Sequence, residues 1–255
     1  MLFQKGVHSK MPVIYLSPST QEANPYIIGG TEEYYMNRVA DAMVPYLRSN
    51  GIRFTRNTPQ MTAASSIAQS NEGLYDLHVA LHSNAAPEAI AGTRRGTEVY
   101  YYPGSIWGRK AAEFVVKNLK EIYPNPSQVR IVPTTSLGEV SRTKAPAILI
   151  EYAYHDNPED AQWISDNINA IARATVKALT EYFGLPFSEA QSPRRGTVAL
   201  RSGNLNIRAF PSVTAQTVGR VPNGGTLTIL GEVNDWYVVD YNGTIGYVAS
   251  RYIQL

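Results

Sequence analysis

The chain has 255 residues, with 23 Lys and Arg against 21 Asp and Glu, a formal charge of +2, and no cysteine. Without cysteine, a disulfide scaffold, a cysteine-ligated zinc and a thiol nucleophile are excluded. The near-neutral charge gives no electrostatic drive toward nucleic acid, and no run of 18 apolar residues is present to span a membrane. Hydrophobic residues make up 44%, and Gly and Pro are ordinary at 19 and 16, so the chain reads as globular and long enough for two unequal domains.

Residues 1–11 are polar, with Lys5, His8 and Lys10, and lack the apolar stretch of a secretory leader. Val13 to Leu16 reads as a strand. Met36, Val39, Ala40, Met43, Val44 and Leu47 recur at helical spacing, which predicts a helix over 33–49 stopped by Gly51. Ile52 to Thr55 is the next strand, and 61–72 is read as a helix. Asp76 to His82 and Thr97 to Tyr102 read as strands, 106–122 as a helix, and Ala147 to Tyr152 as an apolar strand ending in a carboxylate. Asn157, Pro158, Glu159 and Asp160 have the order of a helix start, and the apolar face from Ile164 to Phe183 predicts one long helix ended by Gly184 and Pro186. This alternation predicts an α/β fold, a twisted and mostly parallel sheet flanked by helices, over 12–185.

Residues 186–196, rich in Pro, Ser and Arg, read as a linker. Beyond them the helical period is lost. Short runs at Val198–Leu200, Leu205–Arg208, Gln216–Val221, Thr226–Glu232, Trp236–Tyr241 and Thr244–Ala249, with hairpin signals at Asn223-Gly224-Gly225 and Asn242-Gly243, predict a small β-barrel over 197–255.

Sites on such sheets form outside the carboxyl ends of strands. Thr20 and Gln21 follow the first strand, His82 ends the strand DLHVALH, and Glu151 ends AILI. Glu33 opens the first helix. A carboxylate ending a buried strand is costly unless it pairs, binds a cation or works as a base. Glu33 and His82 are hard enough donors for zinc, with Glu151 as the base for a zinc-bound water, and that set hydrolyses amides without a covalent intermediate.

At these residues the chain resembles the zinc-dependent N-acetylmuramoyl-L-alanine amidases of the amidase_3 type. The matching pieces are Glu33-Tyr-Tyr-Met-Asn37, Thr55-Arg56, Leu81-His82-Ser83-Asn84-Ala85 and Ala145-Pro146-Ala147-Ile-Leu-Ile-Glu151 with Asn157-Pro158. The resemblance implies zinc held by Glu33 and His82, Glu151 as the catalytic group, Asn84 and Arg142 on the substrate, and cleavage of the bond between N-acetylmuramic acid and L-alanine in peptidoglycan. It departs at one place. The family's first strand ends in Asp-x-Gly-His-Gly, whereas here it runs Leu16-Ser17-Pro18-Ser19-Thr20-Gln21. Gln21, ranked ahead of His155, stands in for the missing ligand, or the centre holds metal weakly or not at all. His78 shares a face with His82 but lies ~13 Å along the strand, too far for one ion.

The C-terminal part resembles a bacterial SH3 domain through Leu205-Asn206-Ile207-Arg208, Asp235-Trp236-Tyr237-Val238-Val239 and Gly246-Tyr247-Val248. That resemblance implies binding to wall peptides, with Trp236 and Tyr247 as groove aromatics or as barrel core. Taken together, the two resemblances lead to the expectation of an endolysin or autolysin acting at the bacterial wall or outside the cell, with peptidoglycan as partner and neither nucleic acid nor membrane. The competing expectation, motivated by the missing histidine, is a catalytically impaired wall-binding or regulatory protein.

Overall fold

The computed structural model describes residues 11–255. The polar opening segment, read above as lacking an export leader, falls almost wholly outside them. The described chain divides into two compact units, one of residues 13–44 and 54–183, the other of residues 11–12, 45–53 and 184–255.

The first unit is built on six strands: β1 (Val13–Pro18), β2 (Arg53–Arg56), β3 (Leu77–Asn84), β4 (Thr97–Tyr101), β5 (Val129–Pro133) and β6 (Ala147–Tyr154). They lie in the order β2-β1-β3-β6-β4-β5. β1, β3 and β6 are parallel, as are β4 and β5, but β4 is antiparallel to β6. The sheet is therefore mostly parallel, as expected, with one reversed join. The join matters because it brings the start of β4, not its end, to the carboxyl end of β6.

β3 and β6 are apolar runs buried on both faces, the pattern of central parallel strands. The helices are α1 (Glu32–Ser49), α2 (Ala63–Glu72), α3 (Ile106–Leu119), the one-turn α4 (Gly138–Ser141), α5 (Pro158–Asp166) and α6 (Ile168–Phe183). α2 starts in a reciprocal cap: Ser65 donates its amide to the Thr62 hydroxyl at 3.2 Å, and Thr62 donates its own amide to Ser65 Oγ at 2.9 Å. The single helix predicted beyond Asn157 is two helices. Asn167 leaves the helical conformation, and its side-chain amide donates to the Trp163 carbonyl at 2.8 Å. A polar side chain competing for a backbone carbonyl breaks the helix without disturbing the apolar period, so the period alone did not show it. β5 and α4 were not expected either. β5 is a short edge strand interrupted by Arg130, and four residues are too few for a helical period.

One buried carboxylate ties the start of β4 to the end of β6. Asp160, near the start of α5, accepts the amides of Gly96 (2.9 Å) and Tyr154 (3.1 Å) on Oδ2. On Oδ1 it accepts the Tyr123 hydroxyl (2.6 Å) and Arg95 Nε (3.1 Å).

The second unit holds β7 (Arg194–Val198), β8 (Asn204–Arg208), β9 (Thr217–Pro222), β10 (Thr226–Val233), β11 (Trp236–Tyr241), β12 (Thr244–Ala249) and β13 (Ile253–Gln254), in the order β13-β7-β10-β11-β12-β8-β9. Among the described residues its neighbouring strands pair antiparallel. Its core gathers Val198, Leu205, Ile207, Val221, Leu227, Ile229, Tyr237, Val239 and Val248. The β11–β12 hairpin turns at Asn242 and Gly243, both with positive φ (51° and 80°), which matches the right-handed twist of the strands it joins. β7 begins inside the stretch read as a linker.

Replacing Asp160 with Ala strands two amides and a hydroxyl inside the fold and removes one of the two carboxylates that pair Arg95, which keeps Glu159. Urea unfolding at neutral pH is expected to show a loss of about 3–5 kcal/mol.

Candidate active site

Three strands bring three titratable side chains to one level of the sheet. His82 on β3 is the register partner of Glu151 on β6, and Glu151 is the partner of Glu98 on β4. Partner positions on adjacent strands present their side chains on the same face. At the same level beyond β1, Ser19 donates its amide to the Leu81 carbonyl at 2.9 Å. One layer below, Ala80 and Leu149 are covered by Val140 of α4, with Tyr100 and Leu137 packed against them. That packing anchors α4 and aims the neighbouring Glu139 at the row. From above, the start of α1 supplies Glu32, only 1% exposed.

His82 is held on both sides. Its Nδ1 lies 2.8 Å from Glu32 Oε1 and its Nε2 lies 2.9 Å from Glu139 Oε2. Glu139 also bonds His78 Nε2 at 3.2 Å through Oε1, which accepts the Ser17 hydroxyl as well. His78 Nδ1 meets the Ser70 hydroxyl at 2.9 Å, and Glu32 Oε2 accepts Asn24 Nδ2 at 2.7 Å. Burial works against the charge on His82, but its hydrogen bonds to Glu139 and Glu32 outweigh that and hold the imidazolium well above its ordinary range. Burial likewise works against the charge on Glu139, yet the two imidazoles keep it well below the usual carboxylate range; burial also opposes the charge on Glu32, and His82 with Asn24 turns its shift downward.

Glu151 is the opposite case. It is half-buried, and its Oε2 is shut off from solvent with no hydrogen-bond partner among the described residues. Burial pushes its carboxyl up to about 8. The charge on His82 opposes this, while the carboxylates of Glu32, Glu98 and Glu139 add to it. Glu98 is 7% exposed and well satisfied: Arg130 Nη2 bonds Oε1, and Oε2 accepts the Tyr100 hydroxyl and Asn84 Nδ2 (3.2 Å). At neutral pH the row therefore sets a protonated carboxyl between an imidazolium and an ion-paired carboxylate.

Of the residues singled out from sequence, His82 and Glu151 stand side by side, and Asn84 joins the row through Glu98. The helix-start carboxylate that reaches His82 is Glu32, not Glu33. Glu33 is half-buried, and its Oε1 lies 3.5 Å from Asn37 Nδ2. The apolar period carried the missed signal. Glu32 stands four residues before Met36 and seven before Val39, on the buried face of α1, whereas Glu33 is turned about 100° away. Gln21 is exposed, and its Oε1 accepts Asn24 Nδ2 at 2.9 Å. His155 is buried one residue off the row: its Nδ1 lies 2.9 Å from the Ser83 carbonyl and 3.1 Å from Ser83 Oγ, its ring stacks on Tyr26, and the Ser83 amide donates to Glu32 Oε1 at 3.4 Å. Gln21 and His155 make no hydrogen bond to His82. Arg142 caps α4, and its carbonyl accepts Asn71 Nδ2 at 2.8 Å, away from the row.

His78, four residues before His82 on β3, is coupled to it through Glu139, whose two oxygens each bond one ring. Sequence reasoning missed Glu139, which lies in a segment without period. It also missed Glu98, where a carboxylate inside TEVYYY carried the same signal that singled out Glu151. In the second unit, Tyr247 is fully buried and its hydroxyl donates to the Asn50 carbonyl at 3.1 Å, so it cannot line a groove. Trp236, at the start of β11, is half-buried.

A catalytic zinc takes three protein ligands and keeps one position open for water. Glu32 and His82 are close enough to share an ion, but the β1 end contributes a serine. Both nitrogens of His82 are engaged by carboxylates. Among the described residues, no three His, Cys, Asp or Glu side chains converge so as to hold a metal ion. The donor set does not fit the zinc that the resemblance implies.

Residues 20–181 match the family model "N-acetylmuramoyl-L-alanine amidase", and residues 203–254 match "Bacterial SH3 domain". The chain belongs to the N-acetylmuramoyl-L-alanine amidase family of peptidoglycan hydrolases and carries a C-terminal bacterial SH3 domain. Among solved structures, it is similar to the amidase AmiC2 of Nostoc punctiforme (TM-score 0.60, 16% identity, 69% of this chain and 99% of that one). It is also similar to Ami1 from Mycobacterium smegmatis, with the same values. The catalytic domain of the CD27L endolysin targeting Clostridia difficile follows (TM-score 0.54, 21% identity, 67% and 97%). At these identities the likeness shows the fold. The Bacillus subtilis (strain 168) protein named "Putative N-acetylmuramoyl-L-alanine amidase YrvJ" is 41% identical over 58 residues, 23% of this chain, and the match spans 11% of that protein.

The raised carboxyl of Glu151 makes stability depend on pH. The folded form holds its proton more tightly than the unfolded chain, so stability falls from the ordinary carboxylate range up to about pH 8. Glu151→Gln removes that dependence. By thermal or urea unfolding the variant is expected to match wild type near pH 5 and to exceed it by about 1–3 kcal/mol at pH 8, a figure reduced for partial exposure.

Proposed function

We propose that the chain hydrolyses the amide bond between the lactyl group of N-acetylmuramic acid and L-alanine, with Glu151 as the proton-carrying group. The observation that carries this reading is the half-buried Glu151 carboxyl at the end of β6, with an unpartnered oxygen and its proton retained to about pH 8. A proton donor is needed where an amine must leave, and a carboxyl tuned near the working pH supplies one. As the C–N bond breaks, the Glu151 proton goes to the alanine nitrogen; the water oxygen that adds to the lactyl carbonyl gives up two protons, one restoring Glu151 and one completing the ammonium of the released alanine, and the lactyl group leaves as a carboxylate. Glu98, ion-paired to Arg130, keeps negative charge beside Glu151 and so acts as a positioning residue for its proton. The zinc-activated water implied by the resemblance is not part of this reading, because the donor set does not fit it. The SH3 domain would hold the enzyme on wall peptides at the bacterial wall, with Trp236 as its partly exposed aromatic.

A second reading, an impaired amidase-like protein that binds or regulates the wall, is favoured by the stretch Ser17-Pro18-Ser19-Thr20-Gln21, which holds no histidine where the first strand ends. Muropeptide analysis after digestion of purified walls separates the two. The first expects new N-terminal L-alanine and free N-acetylmuramic acid carboxyl groups; the second expects wall binding with neither product.

Glu151→Gln is expected to lower the rate of L-alanine release by about 10²–10⁴-fold while leaving sedimentation with walls unchanged. The wild-type rate is expected to fall as pH rises through about 8. Glu98→Gln removes a neighbouring negative charge and moves that alkaline limb to lower pH, a shift visible in the pH profile of kcat.

A further inference from the structure

The centre departs from a zinc site in three independent ways, and each lies in a named side chain. The position beside His82 on the β1 side is Ser19, only 2% exposed, and the next amide along, Gln21, is turned outward to Asn24. On the other side of the imidazole, Glu139 is committed at four points: to His82, to His78, to the Ser17 hydroxyl, and through its neighbour Val140 to the layer of Ala80 and Leu149. On the third side, Glu32 bonds His82 and also accepts Asn24 Nδ2. A metal entering through Nδ1 must break the Glu32 bond. One entering through Nε2 must displace a carboxylate that three buried groups hold. Either way it would find two protein ligands from the cluster where a catalytic zinc needs three.

We infer that this amidase fold is closed to zinc, with the buried Glu32–His82–Glu139 cluster occupying the place of the ion. The imidazole ring fills the space between two carboxylates, 2.8 Å from Glu32 and 2.9 Å from Glu139. Serine at position 19 and glutamate at position 139 then form one device: the first removes a ligand, and the second neutralises and holds the ligand that remains. The inference deepens the proposed function, since it assigns amide chemistry at this centre to side chains alone, but it stands on donor geometry and does not require that hydrolysis be found.

The test uses the full chain, stripped with a chelator and dialysed against zinc. Metal content is then measured by mass spectrometry, and the His82 ring signals are followed by NMR after selective imidazole ¹⁵N labelling. The expected result is below about a tenth of an equivalent of zinc at the centre, with the His82 signals unmoved. Zinc that His82→Ala retains in full is bound elsewhere and agrees with the inference. About one equivalent of zinc, bound with a shift of a His82 ring nitrogen and lost in His82→Ala, overturns it. The NMR reading needs only the wild-type chain, so a misfolded variant does not remove the test. A gain-of-site variant supplies a second reading: Ser19→His combined with Glu139→Gln is expected to raise zinc uptake at least about tenfold over wild type. No gain in a variant that stays folded overturns the part assigned to these two positions. A chain that takes up no zinc and releases no L-alanine leaves this inference standing and ends the proposed function, whereas zinc at His82 ends the inference whatever the activity.

Discussion

The geometry of this protein's centre depends on an imidazole ring clamped from both sides. His82 is buried, and a lone buried imidazolium would be costly. It is stable here because one carboxylate meets each nitrogen, Glu32 at 2.8 Å and Glu139 at 2.9 Å. Each carboxylate is in turn satisfied by other donors: Asn24 on Glu32, Ser17 and His78 on Glu139. Beside the network stands Glu151, whose Oε2 has no donor among the described residues and whose carboxyl keeps its proton instead. A satisfied network next to an unsatisfied carboxyl is the arrangement that leaves one group chemically available.

Topology makes that juxtaposition possible. Had β4 run parallel to β6, its end, with Tyr101, would lie beside Glu151. Because β4 is reversed, its start lies there, and Glu98 becomes the register partner of Glu151. Asp160 secures the same corner by accepting the amides of Gly96 and Tyr154, one from each side of the join. The reversed join thus places a second carboxylate beside the first, and Arg130 keeps it paired.

Much of this was legible in the residues, and the exceptions have physical causes. Continuous apolar runs marked β3 and β6, and the cost of burying a carboxylate at a strand end marked Glu151. The buried face of α1 was also legible, because Met36, Val39 and Met43 place Glu32 with them; matching Glu33 and Asn37 to a motif set the choice one residue off. Asn167 split a helix through a side-chain hydrogen bond that no apolar spacing reports. Tyr247 sits in β12, where Gly246, Tyr247 and Val248 are buried in succession, and its packing, with the hydroxyl on the Asn50 carbonyl, shows that it is interior.

From sequence alone follow the class of the fold, the division into an α/β part and an antiparallel part, and the strand ends where polar residues collect. Those rest on period and composition, which are local properties of the chain. What only the tertiary structure decided is the company each polar residue keeps. Glu139 lies 57 residues from His82 and Glu98 lies 53 residues before Glu151, as the numbering shows. Their meeting depends on strand order, on the reversal of β4 and on one turn of helix packed by Val140. Whether His82 faces a metal or two carboxylates is settled by those long-range contacts, because an imidazole's partners are fixed by what folds against it and not by its neighbours along the chain.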